Sequence, residues 1–457
     1  MKNGEKKSYR FLRCLLLTNE LKIRDKISNQ VKELFNLRGK QTKKSGIDFL
    51  NYSGSIYDHD EVNAIINSLL DGWLGIGEKS NKFQKEFAIY NDLKYCLVTN
   101  SGSSSSLLAI TALCSKETKN YCKPGDEIIT PASTFPTTLN PIIQNNLIPV
   151  FVDVELGTYN IDANSLEHAI SEKTKGIMLP HVLGNPNEMD KIKKIVERYN
   201  LFLIEDCCDA LGSTYKGQKV GTWGDFAINS FYPAHHMTMG EGGAILTNNL
   251  QLKRTAQSIR DWGRACYCEF NERNPNGACK KRFEFEINGD KIDHRYVYSN
   301  IGYNLKPLEL QCAMALEQLK KLPTFIRQRK RNFKILYDEL EHLDSIFILP
   351  RFLKDSEVSW FAFTLTIREN INIKRAELQQ YLEKNKIQTR VLFAGNILKH
   401  PAYRDINYKI IGKLSNSDKI FKNSFFVGVY PGLSEENMIY IASEIKKFVN
   451  NHNLTNF

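Results

Sequence analysis

From about residue 45 the chain alternates short β-branched runs with helical stretches. Tyr95–Thr99, Glu127–Thr130, Ile148–Val154, Gly176–Leu179 and Leu201–Ile204 each have the length and apolar character of a strand. A Ser/Gly turn and an apolar helix from Leu107 follow the first, and Pro124-Gly125 makes a turn before the second. Nearly continuous apolar strands separated by helices predict an α/β fold with a doubly wound, mostly parallel sheet covered on both faces. Ligands on such sheets bind at the carboxyl ends of the strands. Residues just after each strand are therefore the first candidates for chemistry.

The flanks follow other patterns. Ile23, Ile27, Val31 and Leu34 recur at helical spacing, which predicts one amphipathic helix within an extension over 1–44. A helical run from Pro307 to Leu322 is expected to stop at Pro323, which has no N–H to continue the ladder. A second helix, Phe325 to Leu340, leads into a smaller α/β unit with strands at Trp360–Ile367 and Thr389–Phe393. The expected organisation is an extension over 1–44, a large unit over 45–325 and a small C-terminal unit over 326–457.

Composition narrows the class. With 42% hydrophobic and 25% charged residues the chain is an ordinary globular one, not disordered or fibrous. Its longest apolar stretches are strand-sized, too short for a membrane span of about 20 residues. Arg10 and Arg13 interrupt Tyr9–Leu17, so no secretory core is expected there and the expected location is cytoplasmic. The net charge is +11, but the first 44 residues hold 13 Lys and Arg against 4 Asp and Glu, a net +9. The fold proper is nearly neutral, so no nucleic-acid-binding face is expected. The ten cysteines, without a secretion signal, do not suggest disulfides. The tight pairs Cys207-Cys208 and Cys266-Tyr267-Cys268 suggest a cofactor role for some of them.

Three stretches carry chemistry. Asn100-Ser-Gly-Ser-Ser-Ser-Ser106 lies between a strand and a helix. Gly102 permits a tight turn, Ser103 and Ser104 offer hydroxyls, and the first helical N–H groups converge there, so the turn is an anion site or simply a serine-rich helix cap. Leu201-Phe-Leu-Ile-Glu-Asp206 ends an apolar strand in carboxylates. Asp206 suits an ion pair with a protonated ring nitrogen; the plainer alternative is a helix N-cap. The third stretch is Ser230-Phe-Tyr-Pro-Ala-His-His-Met-Thr-Met-Gly-Glu-Gly-Gly243.

That third stretch resembles the cofactor-anchoring signature of the DegT/DnrJ/EryC1/StrS sugar aminotransferases. The resemblance implies a fold-type I pyridoxal-phosphate protein, aspartate aminotransferase-like, with a large cofactor-binding domain and a smaller C-terminal α/β domain. Most members carry a lysine five residues after the serine and hold pyridoxal phosphate covalently through it. Here that position is His235. An imidazole cannot tether the aldehyde, but it titrates near neutrality and can move protons. The chain thus resembles the nucleotide-sugar 3-dehydrases that carry histidine there, above all those acting on CDP-4-keto-6-deoxy-D-glucose in O-antigen lipopolysaccharide biosynthesis. The similarity runs from about Tyr52 to Leu433.

The resemblance implies roles residue by residue. His235 would be the catalytic base, with Tyr232 lining the reacting face. Pyridoxamine or pyridoxal 5'-phosphate would be held by Gly102, Ser103, Ser104 and Ser230 around the phosphate. Phe135 would lie on the ring, Asp206 at the pyridine nitrogen and Asp209 near the phenolic oxygen. Asn304 would reach the phosphate from the neighbouring subunit of a homodimer. Of His235 and His236, the second is expected to be structural.

Cys208, Cys266, Cys268 and Cys279 form a Cys-x57-Cys-x-Cys-x10-Cys pattern. From the residues alone this is four thiolates suited to a [2Fe–2S] cluster, a zinc ion or no metal, with Cys207 an alternative to Cys208. The resemblance implies the [2Fe–2S] cluster, fed by a separate NADH-dependent flavin iron–sulfur reductase. A cluster-free, glutamate-dependent 3-dehydrase and a catalytically silent binding or regulatory protein remain the alternatives.

Overall fold

The computed structural model describes residues 2–39, 42–267 and 282–452, the side chains of 2–17 excepted. Its main sheet is built from β1 (Tyr95–Thr99), β2 (Glu127–Pro131), β3 (Ile148–Val152), β4 (Thr174–Pro180), β5 (Phe202–Asp206), β6 (Phe226–Ser230) and β7 (Gly243–Thr247). The strand order is β1-β7-β6-β5-β4-β2-β3, with a short C-terminal strand, Lys409–Ile410, on the far edge. Only β7 runs antiparallel to its neighbours; the other strands are parallel. The period of two along each strand sends successive side chains to opposite faces. Ile128, Met178 and Ile204 join one core, while Ile129, Ile177 and Leu203 join the other. Each expected strand is present, Tyr95–Thr99 with its expected bounds and the others with ends shifted by one or two residues; β6 and β7 are additional.

Six α-helices precede β5 among the described residues, and of these α4 and α5 contribute to the site. They are α1 (Lys2–Arg38), α2 (His59–Leu70), α3 (Glu78–Tyr90) and α4 (Gly102–Leu113), with α5 (Pro136–Gln144) and α6 (Met189–Tyr199) completing the flanks of the sheet. The amphipathic helix expected in the extension lies within α1, which docks on α2 through Arg24–Asp71 at 2.8 Å and Asn63 Nδ2 to the Ser28 carbonyl at 3.4 Å. Among the described residues no helix is long and apolar enough to cross a membrane.

A second sheet, all antiparallel, is made of Phe347–Ile348, Ala362–Ile367, Ser424–Gly428 and Thr389–Val391 in that order. The expected break at Pro323 does not occur: one helix, α7 (Glu309–Leu340), runs through it. Pro323 faces solvent, so the carbonyl one turn back can bond water, while packing on either side holds the helix together. Cys312, Ala315 and Leu316 pack into the first unit's core; Phe333, Leu336 and Leu340 pack into the second's. Leu50, far upstream, also belongs to that second core. One continuous helix therefore links the two sheets, and the cleft lies between them.

Candidate active site

The cleft has a volume of about 660 Å³ and collects residues from both units. Its floor is the carboxyl end of β5. Asp206 is buried there, accepting Thr138 Oγ1 on Oδ2 at 2.9 Å and the Cys208 N–H on Oδ1 at 3.1 Å. The carboxylate thus closes a turn instead of capping a helix. Its own carbonyl accepts the His181 N–H at 3.0 Å, which fixes the strand end.

One wall is the turn after β1. Ser101 caps α4, its hydroxyl taking the Ser104 N–H at 3.0 Å. The first N–H groups of a helix have no intrahelical partner, so those of Gly102 and Ser103 give this wall an anion-binding character. Asn100 to Ser103 line the cleft; Ser104 does not, because its N–H and hydroxyl both turn to Ser101. Gly102 is required by close approach and not by an unusual turn. A Cβ there would stand 2.5 Å from Ser230 Cβ. Ser230 in turn accepts the Tyr232 N–H at 3.3 Å.

The opposite wall is the loop between β6 and β7. His235 Nδ1 lies 3.1 Å from Asp209 Oδ1, an ion-pair distance, although its N–H is not aimed for a hydrogen bond. Both side chains are mostly buried. The Tyr232 ring meets the imidazole edge-on at 6.4 Å and is half exposed to the cleft. Phe135, also half exposed, holds an edge-to-face contact with Phe393 at 6.2 Å. His236 points away: buried, its Nε2 is 2.9 Å from the Ser359 carbonyl. Burial, with the Arg329 charge adding to it, pushes the His236 pKa well below its usual value. His236 is thus buried away from the cleft, the placement a structural residue would have.

Three residues brought in from the other unit hold this arrangement, and of these only Arg329 lies outside the stretches the sequence offered for the pocket. Arg329 on α7 is buried and donates to the His235 carbonyl at 3.2 Å and the Phe361 carbonyl at 3.0 Å. Burial pushes its pKa down to about 10. Phe361 contacts the His235 ring at 5.6 Å. Phe393 lies in the left-handed region at φ 46°, which ends the expected strand after Val391. Spacing alone proves none of these contacts, since each residue comes from the other unit.

The cysteines divide. Cys208 lines the cleft, and burial together with neighbouring Asp206 pushes its thiol pKa well up. Cys207 is buried in the core beside Phe83 and Phe87, behind the sheet. Cys266 is half-buried, its Sγ 3.9 Å from His294 Nε2. Cys268 and Cys279 lie outside the described residues. His181, Glu205 and Cys207 also converge. Glu205 is already saturated there, by His181 Nε2 at 3.1 Å and the N–H groups of Gly221, Trp223 and Gly224, each at 2.8 Å. Asn304 is exposed and lies outside this cleft, paired with Asp261 in an isolated bridge.

The helix-flanked, mostly parallel sheet with a smaller antiparallel sheet beside it, the capped turn after β1 and the acid ending β5 are those of the fold-type I, aminotransferase-like class. The E coli GDP-4-keto-6-deoxy-D-mannose-3-dehydratase, solved with bound hydrated PLP, superposes with a TM-score of 0.79 at 30% identity, covering 88% of this chain and all of that one. The chain belongs to the DegT/DnrJ/EryC1/StrS aminotransferase family, whose model matches residues 55–446. Lipopolysaccharide biosynthesis protein RfbH of Salmonella typhimurium is 45% identical over 407 residues, 88% of this chain and 92% of that protein. The dTDP-4-dehydro-2,6-dideoxy-D-glucose 3-dehydratase of Saccharopolyspora spinosa is 43% identical over 429 residues, 93% of this chain and 92% of that protein.

Proposed function

We propose that this protein removes the C3 hydroxyl of a nucleotide-linked 4-keto-6-deoxyhexose, with CDP-4-keto-6-deoxy-D-glucose as substrate. Pyridoxamine 5'-phosphate is the organic cofactor. The observation that carries this reading is His235 in the lysine's place, in a cleft whose described lining contains no lysine. A tethered aldehyde has nothing here to bind to, so the cofactor is held by non-covalent contacts.

The donor set fits such a group. The α4 N-terminus and Ser103 suit its phosphate, the half-exposed Phe135 its ring face, and the buried Asp206 carboxylate a protonated ring nitrogen. When bound, the pyridinium ring supplies an electron sink for a carbanion. Asp206 holds the proton on that nitrogen. His235 moves a proton at the cofactor's methylene carbon through the ring nitrogen that does not face Asp209, and Asp209 orients the imidazole. Tyr232 and Phe361 exclude water beside it.

A [2Fe–2S] cluster on Cys208, Cys266, Cys268 and Cys279 is the second part of the proposal. Cys208 in the cleft wall and the half-buried Cys266 are suitable donors; the cluster would supply electrons one at a time from an NADH-dependent flavin reductase. A homodimer is the third part. The exposed Tyr296, Tyr298, Ile301 and Leu308 flank Asn304 and suit burial against a second copy, which would carry Asn304 to the neighbouring phosphate.

The direct test is His235→Asn with pyridoxamine phosphate bound. Proton exchange with solvent at the methylene should fall to background; undiminished exchange removes His235 from the base role. A second reading has support in a solved GDP-4-keto-6-deoxymannose-3-dehydratase with a trapped PLP-glutamate geminal diamine. On that reading glutamate regenerates the cofactor and the cysteines hold no metal. Iron and acid-labile sulfide assays on anaerobically purified protein separate the two.

A further inference from the structure

The roles proposed above leave the nucleotide end of the substrate without a partner. We infer that Arg390 grips the substrate's diphosphate, and that a line of aromatic rings joins it to His235. This rests on the nucleotide-sugar reading and names the specificity residue for it.

A nucleoside diphosphate brings negative charge into a cleft whose lining already contains Asp206, Asp209 and Glu241. Entry requires a cation. Among the described lining residues there are three candidates: His181, His235 and Arg390. His181 Nε2 is 3.1 Å from Glu205, and His235 Nδ1 is 3.1 Å from Asp209. Among the described residues Arg390 has no carboxylate partner. It is exposed on the Thr389–Val391 strand, and one guanidinium nitrogen donates to the Thr389 carbonyl at 2.7 Å. A guanidinium carries five N–H donors in a fixed fork, so the rest remain for a phosphate, which it can meet with two parallel bonds.

The guanidinium is held in place. It lies 4.6 Å from the centre of the Tyr52 ring, a cation–π distance. Tyr52 is itself fixed, its N–H donating to Gln388 Oε1 at 3.2 Å. From Tyr52 the rings continue inward. Tyr52 meets Phe426 at 5.8 Å, Phe426 meets Phe361 at 6.2 Å, and Phe361 meets His235 at 5.6 Å. This continuous apolar track between imidazole and guanidinium suits a hexose whose C6 is a methyl group. The other anion site, the α4 N-terminus, comes from the large unit, whereas Arg390 comes from the small one. The two phosphates, the cofactor's and the substrate's, thus have separate holders, and substrate binding ties the two units together.

The test is calorimetric titration of CDP, GDP and dTDP into the full-length protein carrying pyridoxamine phosphate, in wild type, Arg390→Gln and Arg390→Lys. Wild type should bind at least one of the three. Arg390→Gln should weaken that binding about ten- to a hundredfold, as expected for loss of a charge-assisted pair, with Arg390→Lys between. Affinity for pyridoxamine phosphate, followed by absorbance, should be unchanged. Arg390→Gln binding the diphosphate within twofold of wild type overturns the assignment of Arg390 and leaves the proposed reaction standing. A wild type that binds none of the three overturns the nucleotide-sugar reading and Arg390's role together.

Discussion

Arg329 offers a quantitative test of how the cleft is held. Its guanidinium, fully buried, makes two close bonds, to the carbonyls of His235 and Phe361 at 3.2 and 3.0 Å, beside a longer, weaker one to the Trp360 carbonyl at 3.4 Å. Replacement by methionine keeps most of the volume but strips both closely bonded carbonyls. Each buried acceptor left bare costs about 1–3 kcal/mol, so about 2–6 kcal/mol for the pair. Against this, burial has driven the arginine from 12.5 to about 10. That net fall, about 3 kcal/mol, is what burial costs the charge after the Asp209 and Tyr430 charges have offset part of it, and methionine is spared it. The two nearly cancel, and Arg329→Met should lose only about 1 kcal/mol. Arg329→Ala leaves a cavity as well and should lose about 2–3 kcal/mol more. Urea denaturation followed by circular dichroism measures both. Equal losses in the two variants, or more than about 4 kcal/mol in the methionine variant, would refute the offset between desolvation and lost bonds. Methylene exchange should nonetheless drop in Arg329→Met, because the His235 backbone has lost its anchor.

Three further outcomes follow from named contacts. Gly102→Ala places a Cβ 2.5 Å from Ser230 Cβ and should weaken pyridoxamine phosphate binding by about tenfold or more; adding Ser230→Gly should restore part of it, and unaltered binding in the single variant would show that the wall yields freely. Thr138→Val removes the donor at 2.9 Å from Asp206 and should cut cofactor affinity by roughly three- to tenfold in the same absorbance titration. His236 has its pKa pushed well below normal by burial, so the unfolded chain binds its proton first as pH falls. Stability should therefore decline below about pH 6.5, by up to about 1.4 kcal/mol per pH unit from this group, and His236→Gln should flatten that decline. Parallel stability curves for the two proteins between pH 6.5 and 5.5 would remove His236 as the cause.

Much of the large unit was legible because its signals are local. Strands buried on both faces must be apolar throughout, so β1 to β5 stand out as runs of Val, Ile and Leu. The candidate groups at their ends were legible for the same reason: Asp206 ends β5, and Ser103 lies in the first turn of α4, just after β1. His235 was found through the missing lysine in a fourteen-residue stretch, Ser230 to Gly243, that is contiguous in the chain. Where local rules misled, long-range packing had overridden them. Pro323 should end a helix, but two cores grip α7 on either side of it. Ser104 resembles Ser103 in the sequence, but the Ser101 cap draws it away from the cleft.

The cleft itself is a product of tertiary structure. Arg329 and Phe361 reach the His235 loop, and Phe393 and Arg390 reach the cleft, from positions roughly a hundred or more residues downstream, and no periodicity or spacing announces them. Which of two adjacent cysteines faces the cleft was equally hidden, because side-chain direction at a strand end depends on the turn that follows. Sequence alone determined which elements form and which reactive groups terminate them, since both are set by neighbours in the chain. The fold decided which of those groups meet, because only the packing of two sheets on one long helix sets distances between residues remote in sequence.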